Sequence, residues 1–135
     1  MDLRTDYPFW LLDKGIIRSY PSLDYDTRAD VVVMGAGISG ALVAWHLAKA
    51  GYDVLVADKR HVGMGSTAAS TALLQYEIDT PLIQLIKQVG EQHAVRSYLL
   101  CLQAIEEMGK LCQRLPEAGF TRKPSLQYAS SKKDV

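Results

Sequence analysis

A glycine-rich turn between an apolar run and a helix-like segment constrains this sequence more than any other feature. Residues 35–40 read Gly-Ala-Gly-Ile-Ser-Gly, and four apolar residues, Val31 to Met34, precede them directly. A short apolar run that is bounded by Asp30 and Gly35 is typical of a strand buried on both faces in a parallel sheet. The turn therefore indicates a strand that passes directly into a helix.

The segment after the turn predicts a helix and a second strand. Small and apolar residues recur at helical spacing from about Ser39 to Lys49. Gly51 ends this helix, because glycine readily adopts the left-handed conformation that follows a helix. Asp53 to Asp58, with the apolar run Val54 to Ala57 between the two aspartates, predicts a second buried strand. Strand, glycine turn, helix and strand together form a βαβ unit with a parallel sheet, which places the chain in the α/β class.

The turn fits the G-x-G-x-x-G pattern of dinucleotide-binding sites. Gly35 permits the tight turn, Gly37 lets a pyrophosphate approach the backbone, and Gly40 lets the helix pack closely on the strand. Asp58 ends the second strand 23 positions after Gly35, where a carboxylate would accept hydrogen bonds from ribose hydroxyls. A carboxylate disfavours a 2′-phosphate, so NADP is the least expected ligand, while the spacing leaves both NAD and FAD open. The candidate cofactor-binding residues of the turn are Gly35, Ala36, Gly37, Ile38, Ser39 and Gly40.

A hydroxyl-rich loop, residues 63–71, lies within the long connection at 59–79. Connections of this length inside a compact domain are usually functional or disordered. The loop offers hydroxyls and backbone amides beside flexible glycines, so it could run along a pyrophosphate or a flavin ring, or be a solvated connector. Lys59 and Arg60 could reach phosphate or adenine, or form a solvated charge pair, and His61 adjoins the loop. The candidate contacts here are Asp58, Lys59, Arg60, Gly65, Ser66, Thr67, Ser70 and Thr71.

The rest of the chain predicts an arm, a helical pair and one further strand. The arm is rich in aromatic residues, which suggests that it packs on the body, with a short helical or strand-like piece near Phe9–Ile17. Thr80 and Pro81 predict a helix start, and a second helix is predicted from about Glu91 to Leu115. The predicted segments are an arm at 1–29, a dinucleotide-binding βαβ unit and loop at 30–79, a helical pair at 80–118, and the first strand of a second, incomplete sheet domain at 119–135.

Composition excludes several classes of protein. Fifteen Lys and Arg residues balance fifteen Asp and Glu residues, so the chain has no basic footprint for nucleic acid. Two cysteines cannot form a disulfide scaffold or a four-cysteine zinc site, and the three histidines have no metal-ligand spacing. The longest uncharged stretch, Val31 to Trp45, is too short for a transmembrane helix and is interrupted by glycines. The cytoplasm is therefore the expected compartment, and the oligomeric state is left open.

Three segments around the glycine turn resemble a known family. Residues 31–40, 47–51 and 54–60 resemble the N-terminus of FAD-dependent oxidoreductases of the D-amino-acid oxidase type, which include glycine and sarcosine oxidases. Residues 63–71 are similar to the segment that contacts the flavin pyrophosphate and ring in that family. The arm around Pro8-Phe9-Trp10 looks like the leader of bacterial members.

This resemblance implies FAD as the cofactor and an amine or amino acid as the small-molecule substrate. Hydride would pass from the substrate carbon to flavin N5, and the resulting imine would hydrolyse. Family members are a few times longer, so the 135 residues are expected to be an N-terminal part without useful turnover of its own. The alternative is a stand-alone dinucleotide-binding module, for NAD or FAD, with no catalytic activity.

Overall fold

The structure of the chain, a computed structural model, describes residues 6–77, 79–126 and 128. The chain divides between Leu73 and Leu74 into two compact units, called here the N-terminal unit and the C-terminal unit. Short 3-10 helices lie at Ser66–Ala69 and Pro116–Ala118. The longer elements are helix α1 (Phe9–Lys14), strand β1 (Val31–Met34), helix α2 (Ile38–Lys49), strand β2 (Val54–Ala57), helix α3 (Leu82–Val89) and helix α4 (Glu91–Cys112).

The N-terminal unit is built on a parallel pair of strands. Val31 of β1 lies opposite Val54 of β2, and Met34 lies opposite Ala57, so both strands end at the same edge. The ladder continues past the strands, because the Gly35 amide donates to the Ala57 carbonyl at 2.7 Å. With α2 between the two strands in the chain, the predicted βαβ unit and α/β class are confirmed.

Helix α2 packs on this strand pair through small residues. Gly40 and Ala44 are half-buried. A Cβ atom on Gly40 would overlap the Gly35 carbonyl oxygen, so only glycine permits this approach of helix and turn. Beyond the helix, Gly51 adopts a positive φ of 93°, as its predicted role at the helix end requires.

One face of the sheet is open, and the expectation that both faces are buried is wrong for the described structure. Val32 is 52% exposed, Met34 81% and Val56 40%, whereas Val31 and Val33 are half-buried. Successive side chains of a strand point to opposite faces. Helix α2 covers one face, and no described residue covers the other to the same extent.

The C-terminal unit is a pair of packed helices. Helices α3 and α4 meet at Gly90, whose φ of 84° permits the abrupt change of direction between them. Ala94 of α4 is completely buried, and Gly109 lies against the ring of Phe120. The Tyr98 hydroxyl of α4 donates to the Thr80 carbonyl at 2.9 Å, which fastens the segment that leads into α3.

Three local expectations for this unit differ from the structure. Thr80 does not cap α3, because Pro81 holds the N-cap position and no side chain caps the helix. Helix α4 ends at Cys112 rather than Leu115, since the last amides form short i to i−3 bonds. Residues 119–126 carry no assigned strand, because no strand in the described part of the chain pairs with them. Residue 127 and residues 129–135 lie outside the described residues, so the strand predicted at 119–135 stays a prediction.

No helix within the described ranges combines the length and the apolar character that a membrane span requires. Cys101 and Cys112 are free and half-buried on α4.

Candidate functional site

The carboxylate of Asp58 is fixed at the edge where both strands end. Its Oδ2 atom accepts a hydrogen bond from the Ala36 amide at 2.6 Å, and its Oδ1 atom accepts one from the Arg60 amide at 2.8 Å. The Ala36 amide, followed by the Arg60 amide, lowers the pKa of Asp58 below its ordinary value of 3.8, and the charges of Arg60 and Lys59 lower it further. Asp58 is therefore ionised at neutral pH and held in one orientation against the glycine turn.

Glycine at positions 35 and 37 permits the backbone path of the turn and the close approach of the Thr67 side chain. Gly35 has a φ of 107°, a conformation that residues with a Cβ atom rarely adopt. A Cβ atom on Gly37 would lie 3.0 Å from the Thr67 hydroxyl oxygen, closer than ordinary packing permits. The turn therefore accommodates a tight backbone path and the nearby Thr67 side chain only while Gly37 is glycine.

Thr67 brings the hydroxyl-rich loop to the beginning of α2. Its Oγ1 atom accepts a hydrogen bond from the Ile38 amide at 2.9 Å. The amides of Ser39 and Gly40 have no acceptor among the described residues, as expected for the first turn of a helix. A threonine hydroxyl can donate one hydrogen bond while it accepts others. The helix start therefore presents two amide donors and one hydroxyl donor to an anion.

Further contacts hold the loop against the glycine turn. The Gly63 amide donates to the Ala36 carbonyl at 2.9 Å. The Arg60 guanidinium lies beside Gly65, where a Cβ atom would be 3.5 Å from Nη2. Ala68, in the 3-10 helix, is one of the few buried residues in the described part of the chain. The structure thus brings together the glycine turn, Asp58, Arg60, Gly65 and Thr67.

The side chains of the other predicted contacts do not join this cluster. The Ser70 hydroxyl accepts a hydrogen bond from the Ala72 amide at 3.1 Å, so it serves the local turn. The remaining residues are exposed, and no contact of their side chains with the glycine turn is found in the described part of the chain: Lys59, Ser66 and Thr71.

Trp10 is the residue that sequence reasoning missed. Its indole Nε1 donates to the Ser70 carbonyl at 2.8 Å. The aromatic residues of the arm indicated only that the arm packs on the body. A partly buried indole N–H usually finds an acceptor, but the sequence does not indicate which one. The acceptor lies 60 positions away in the chain, and no local pattern connects the two.

These features fit a dinucleotide cofactor. A pyrophosphate needs hydrogen-bond donors at a helix start, and the amides of Ser39 and Gly40 with the hydroxyl of Thr67 provide them. An ionised carboxylate at the end of the second strand suits ribose hydroxyls. No group of three or more His, Cys, Asp or Glu side chains within the described ranges is placed to hold a metal ion.

Comparison with known proteins agrees with this geometry. Residues 30–135 match the family described as FAD dependent oxidoreductase. The "Putative Rieske 2Fe-2S iron-sulfur protein YhfW" of Bacillus subtilis is 34% identical over 88 residues, which are 65% of this chain and 17% of that protein. A D-amino acid dehydrogenase of Neisseria meningitidis is 42% identical over 52 residues, 38% of this chain and 12% of that protein.

The match to a third relative covers a larger share of that relative's length. Thiamine thiazole synthase of Saccharolobus islandicus is 32% identical over 95 residues, 68% of this chain and 35% of that protein. The chain therefore spans between about an eighth and about a third of the length of these three relatives. No solved structure matches the chain significantly. Since the family match extends over most of the chain and includes the whole glycine turn, the chain belongs to the FAD-dependent oxidoreductase family, and its cofactor is FAD.

Proposed function

We propose that this chain is the FAD-binding part of an oxidoreductase that acts on the carbon–nitrogen bond of an amine or amino acid. The observation that carries the proposal is the fixed Asp58 carboxylate beside the glycine turn, with Thr67 at the start of α2. The family match gives the cofactor, and the name of the Neisseria relative, D-amino acid dehydrogenase, supports an amino acid as the substrate class.

The chain's own residues bind and orient the cofactor. Asp58 would accept hydrogen bonds from the hydroxyls of the adenosine ribose, because its carboxylate keeps lone pairs beyond those used by the Ala36 and Arg60 amides. The amides of Ser39 and Gly40 would donate to the pyrophosphate, and the Thr67 hydroxyl could donate to it while still accepting from the Ile38 amide. When bound, FAD supplies the chemistry of accepting a hydride from the substrate carbon.

The positive charge of Arg60 complements the pyrophosphate at the same end of the site. Its guanidinium lies beside Gly65 and is not paired with a carboxylate side chain in the described part of the chain. A helix start and an arginine together offer an anion both oriented donors and a full charge. Lys59, Ser66, Ser70 and Thr71, which were also predicted to contact the cofactor, are proposed only as parts of the surrounding loop.

The experiment uses the full-length natural protein. After purification and desalting, the visible flavin bands should remain with the protein, and retention of NAD without flavin would contradict the cofactor assignment. Under anaerobic conditions, D-alanine or glycine should bleach the flavin band, whereas D-lactate should not, because D-lactate presents a C–O bond in place of the C–N bond.

Two results would contradict the substrate class. Bleaching by hydroxy acids alone would move the reaction to carbon–oxygen bonds, and retained FAD without reduction by any amine or amino acid would favour the stand-alone binding module. The 135 residues by themselves are proposed to have no useful turnover. Amine-dependent release of hydrogen peroxide from that isolated chain would contradict this.

A further inference from the structure

The arm contacts the hydroxyl-rich loop through one directed hydrogen bond. Helix α1 packs against the 3-10 helix Ser66–Ala69, and the Trp10 indole donates to the carbonyl of Ser70, the next residue, at 2.8 Å. The family match begins at residue 30, so the arm lies outside the matched segment.

Helix α1 is too short to be stable without contacts to the rest of the N-terminal unit. It has only six residues and no side-chain cap, and isolated helices of this length are unstable in water. A cleft of about 360 Å³ separates part of the arm from the loop, with Phe9 and Ala69 among its lining residues. Phe9 itself is 65% exposed and packs edge-on against Trp10 at 5.0 Å. The indole hydrogen bond gives α1 a directed contact with the loop in addition to its packing on the 3-10 helix.

Ser70 connects this hydrogen bond to the cofactor site. Its amide donates to the Thr67 carbonyl at 3.2 Å, and its hydroxyl accepts the Ala72 amide at 3.1 Å. Thr67 in turn accepts the Ile38 amide at 2.9 Å, at the start of α2. A continuous series of hydrogen bonds thus leads from Trp10 through Ser70 and Thr67 to Ile38.

The backbone two residues after Ser70 is strained, and this strain explains why the loop needs contacts that hold it in place. Ala72 has a φ of 56°, the one described residue other than glycine with a positive φ. Such a conformation costs about 1 kcal/mol or more and persists only where its surroundings hold it. Ser70 is held by its amide, its hydroxyl and its carbonyl, and the Trp10 indole supplies the third of these contacts.

We propose that Trp10 is a positioning residue for FAD, which holds the hydroxyl-rich loop in its cofactor-binding conformation and thereby sets FAD affinity. The inference rests on the proposed function, because it requires that Thr67 and its loop contact the cofactor. Trp10 acts through Ser70 and Thr67 and does not itself touch the cofactor.

The test compares two tryptophans in the full-length natural protein. Trp10→Phe removes the indole donor and keeps an aromatic ring. Trp45→Phe is the matched control, because Trp45 is equally half-buried in the same unit and its indole donates no hydrogen bond within the described ranges. FAD affinity of the apoprotein is measured by quenching of flavin fluorescence, and apoprotein stability by thermal unfolding.

Trp10→Phe is expected to weaken FAD binding by about three- to tenfold, the usual net effect of one hydrogen bond, while Trp45→Phe leaves it unchanged. In a double-mutant cycle, Thr67→Ala should weaken FAD binding less in the Trp10→Phe background than in the wild type, because the two residues act through one connection. Independent, additive losses would overturn the proposal. So would equal FAD affinity of Trp10→Phe and wild type.

A second measurement uses the wild-type protein, so its result does not depend on whether the Trp10→Phe variant folds. If the Trp10 hydrogen bond favours FAD binding, FAD must strengthen that hydrogen bond by the same factor. Exchange of the Trp10 indole proton with solvent, followed by NMR, should therefore slow when FAD is added. If FAD binds and the exchange rate of the Trp10 indole proton does not change, the role of Trp10 is refuted and the proposed function is not. If the wild-type protein does not retain FAD, the proposed function itself is refuted.

Discussion

The N-terminal unit and the C-terminal unit are each stabilised by a different kind of internal contact. In the N-terminal unit, the contacts around the glycine turn are hydrogen bonds between backbone groups and short polar side chains, as at Asp58 and Thr67. In the C-terminal unit, α3 packs against α4, and Ala94 of α4 is completely buried. Backbone hydrogen bonds fix donors and acceptors to within tenths of an ångström, and packing of apolar side chains stabilises without presenting such groups. The first arrangement is suited to binding a cofactor, and the second to supporting a fold.

This comparison predicts that substitutions in the N-terminal unit change FAD affinity, while those in the C-terminal unit change stability alone. The largest effect is expected for Gly40→Ala. The new Cβ atom would overlap the Gly35 carbonyl oxygen, and backbone at that point cannot yield as a side chain could. We expect the free energy of unfolding to fall by about 3 kcal/mol, measured by urea denaturation, with loss of FAD binding.

The control for Gly40→Ala is Ser39→Ala, at the exposed neighbouring position. An exposed substitution of this kind changes stability by about 0.5 kcal/mol or less. A Gly40→Ala protein as stable as Ser39→Ala would mean that α2 does not approach the Gly35 carbonyl as closely as the structure shows.

Asp58→Asn is expected to have the next largest effect, on binding. The asparagine side chain lacks the negative charge of the carboxylate, which strengthens the hydrogen bonds donated by the Ala36 amide and by the ribose hydroxyls. FAD affinity should fall by about 30-fold, the effect of hydrogen bonds to a charged group. Fluorescence titration of the apoprotein measures it. Asp53→Asn, at the other end of β2, is the control, and an equal loss in both variants would contradict a specific role for Asp58.

Ala94→Gly tests the C-terminal unit. The substitution removes a completely buried methyl group and lowers helix propensity, so the free energy of unfolding should fall by about 2 kcal/mol. Ala104→Gly, on the exposed side of α4, should cost only the propensity, about 1 kcal/mol. Both variants should bind FAD with wild-type affinity at temperatures where they are folded. If Ala94→Gly weakened FAD binding and Ala104→Gly did not, the claim that the C-terminal unit affects stability alone would be wrong.

The smallest effect is expected at the ion pair of Glu106 and Arg122. The Arg122 guanidinium donates to the Glu106 carboxylate and lowers its pKa below the ordinary value of 4.5, although both side chains are exposed. Because the folded-state pKa is lowered, the pair stabilises the fold above the unfolded-state pKa and ceases to do so as the pH falls through the folded-state value.

Arg122→Gln should therefore raise the pKa of Glu106 toward 4.5, as measured by NMR titration of its carboxyl carbon. The stability difference between the variant and the wild type should be small at neutral pH and vanish in acid. Arg114→Gln is the control and should leave the Glu106 titration as it is in the wild type. A Glu106 pKa that does not rise in Arg122→Gln would show that the pair does not form in solution.

The local elements of the N-terminal unit were predictable because their signals lie within a few residues. Val31 to Met34, the glycine turn and Gly51 are each confirmed at their predicted places. The ends of α3 and α4 were less predictable. Pro81 rather than Thr80 holds the N-cap position of α3, and the amides of Arg114 and Leu115 bond to carbonyls three residues back, so α4 ends at Cys112. The Tyr98 hydroxyl donates to the Thr80 carbonyl, 18 positions away, and no local pattern indicates that contact.

The cofactor site was predictable in part. The glycines and Asp58 follow from spacing, since a strand, a turn and a second strand leave few possible arrangements of the chain. Which hydroxyl of the loop reaches the helix start did not follow, because Ser66, Thr67 and Ser70 are chemically alike. The fold selects Thr67 by the Gly63 to Ala36 hydrogen bond, which sets the path of the loop past the turn.

The sequence by itself determined the βαβ unit, the carboxylate after its second strand and, by family resemblance, the cofactor, because these depend on the order of residues along a short stretch. The tertiary structure alone decided that the Ala36 amide holds Asp58, that Thr67 reaches Ile38 and that Trp10 reaches Ser70. Each of these is a hydrogen bond between residues 22 to 60 positions apart. Such contacts form only when the whole path of the chain between the two residues is fixed, and no local pattern records that path.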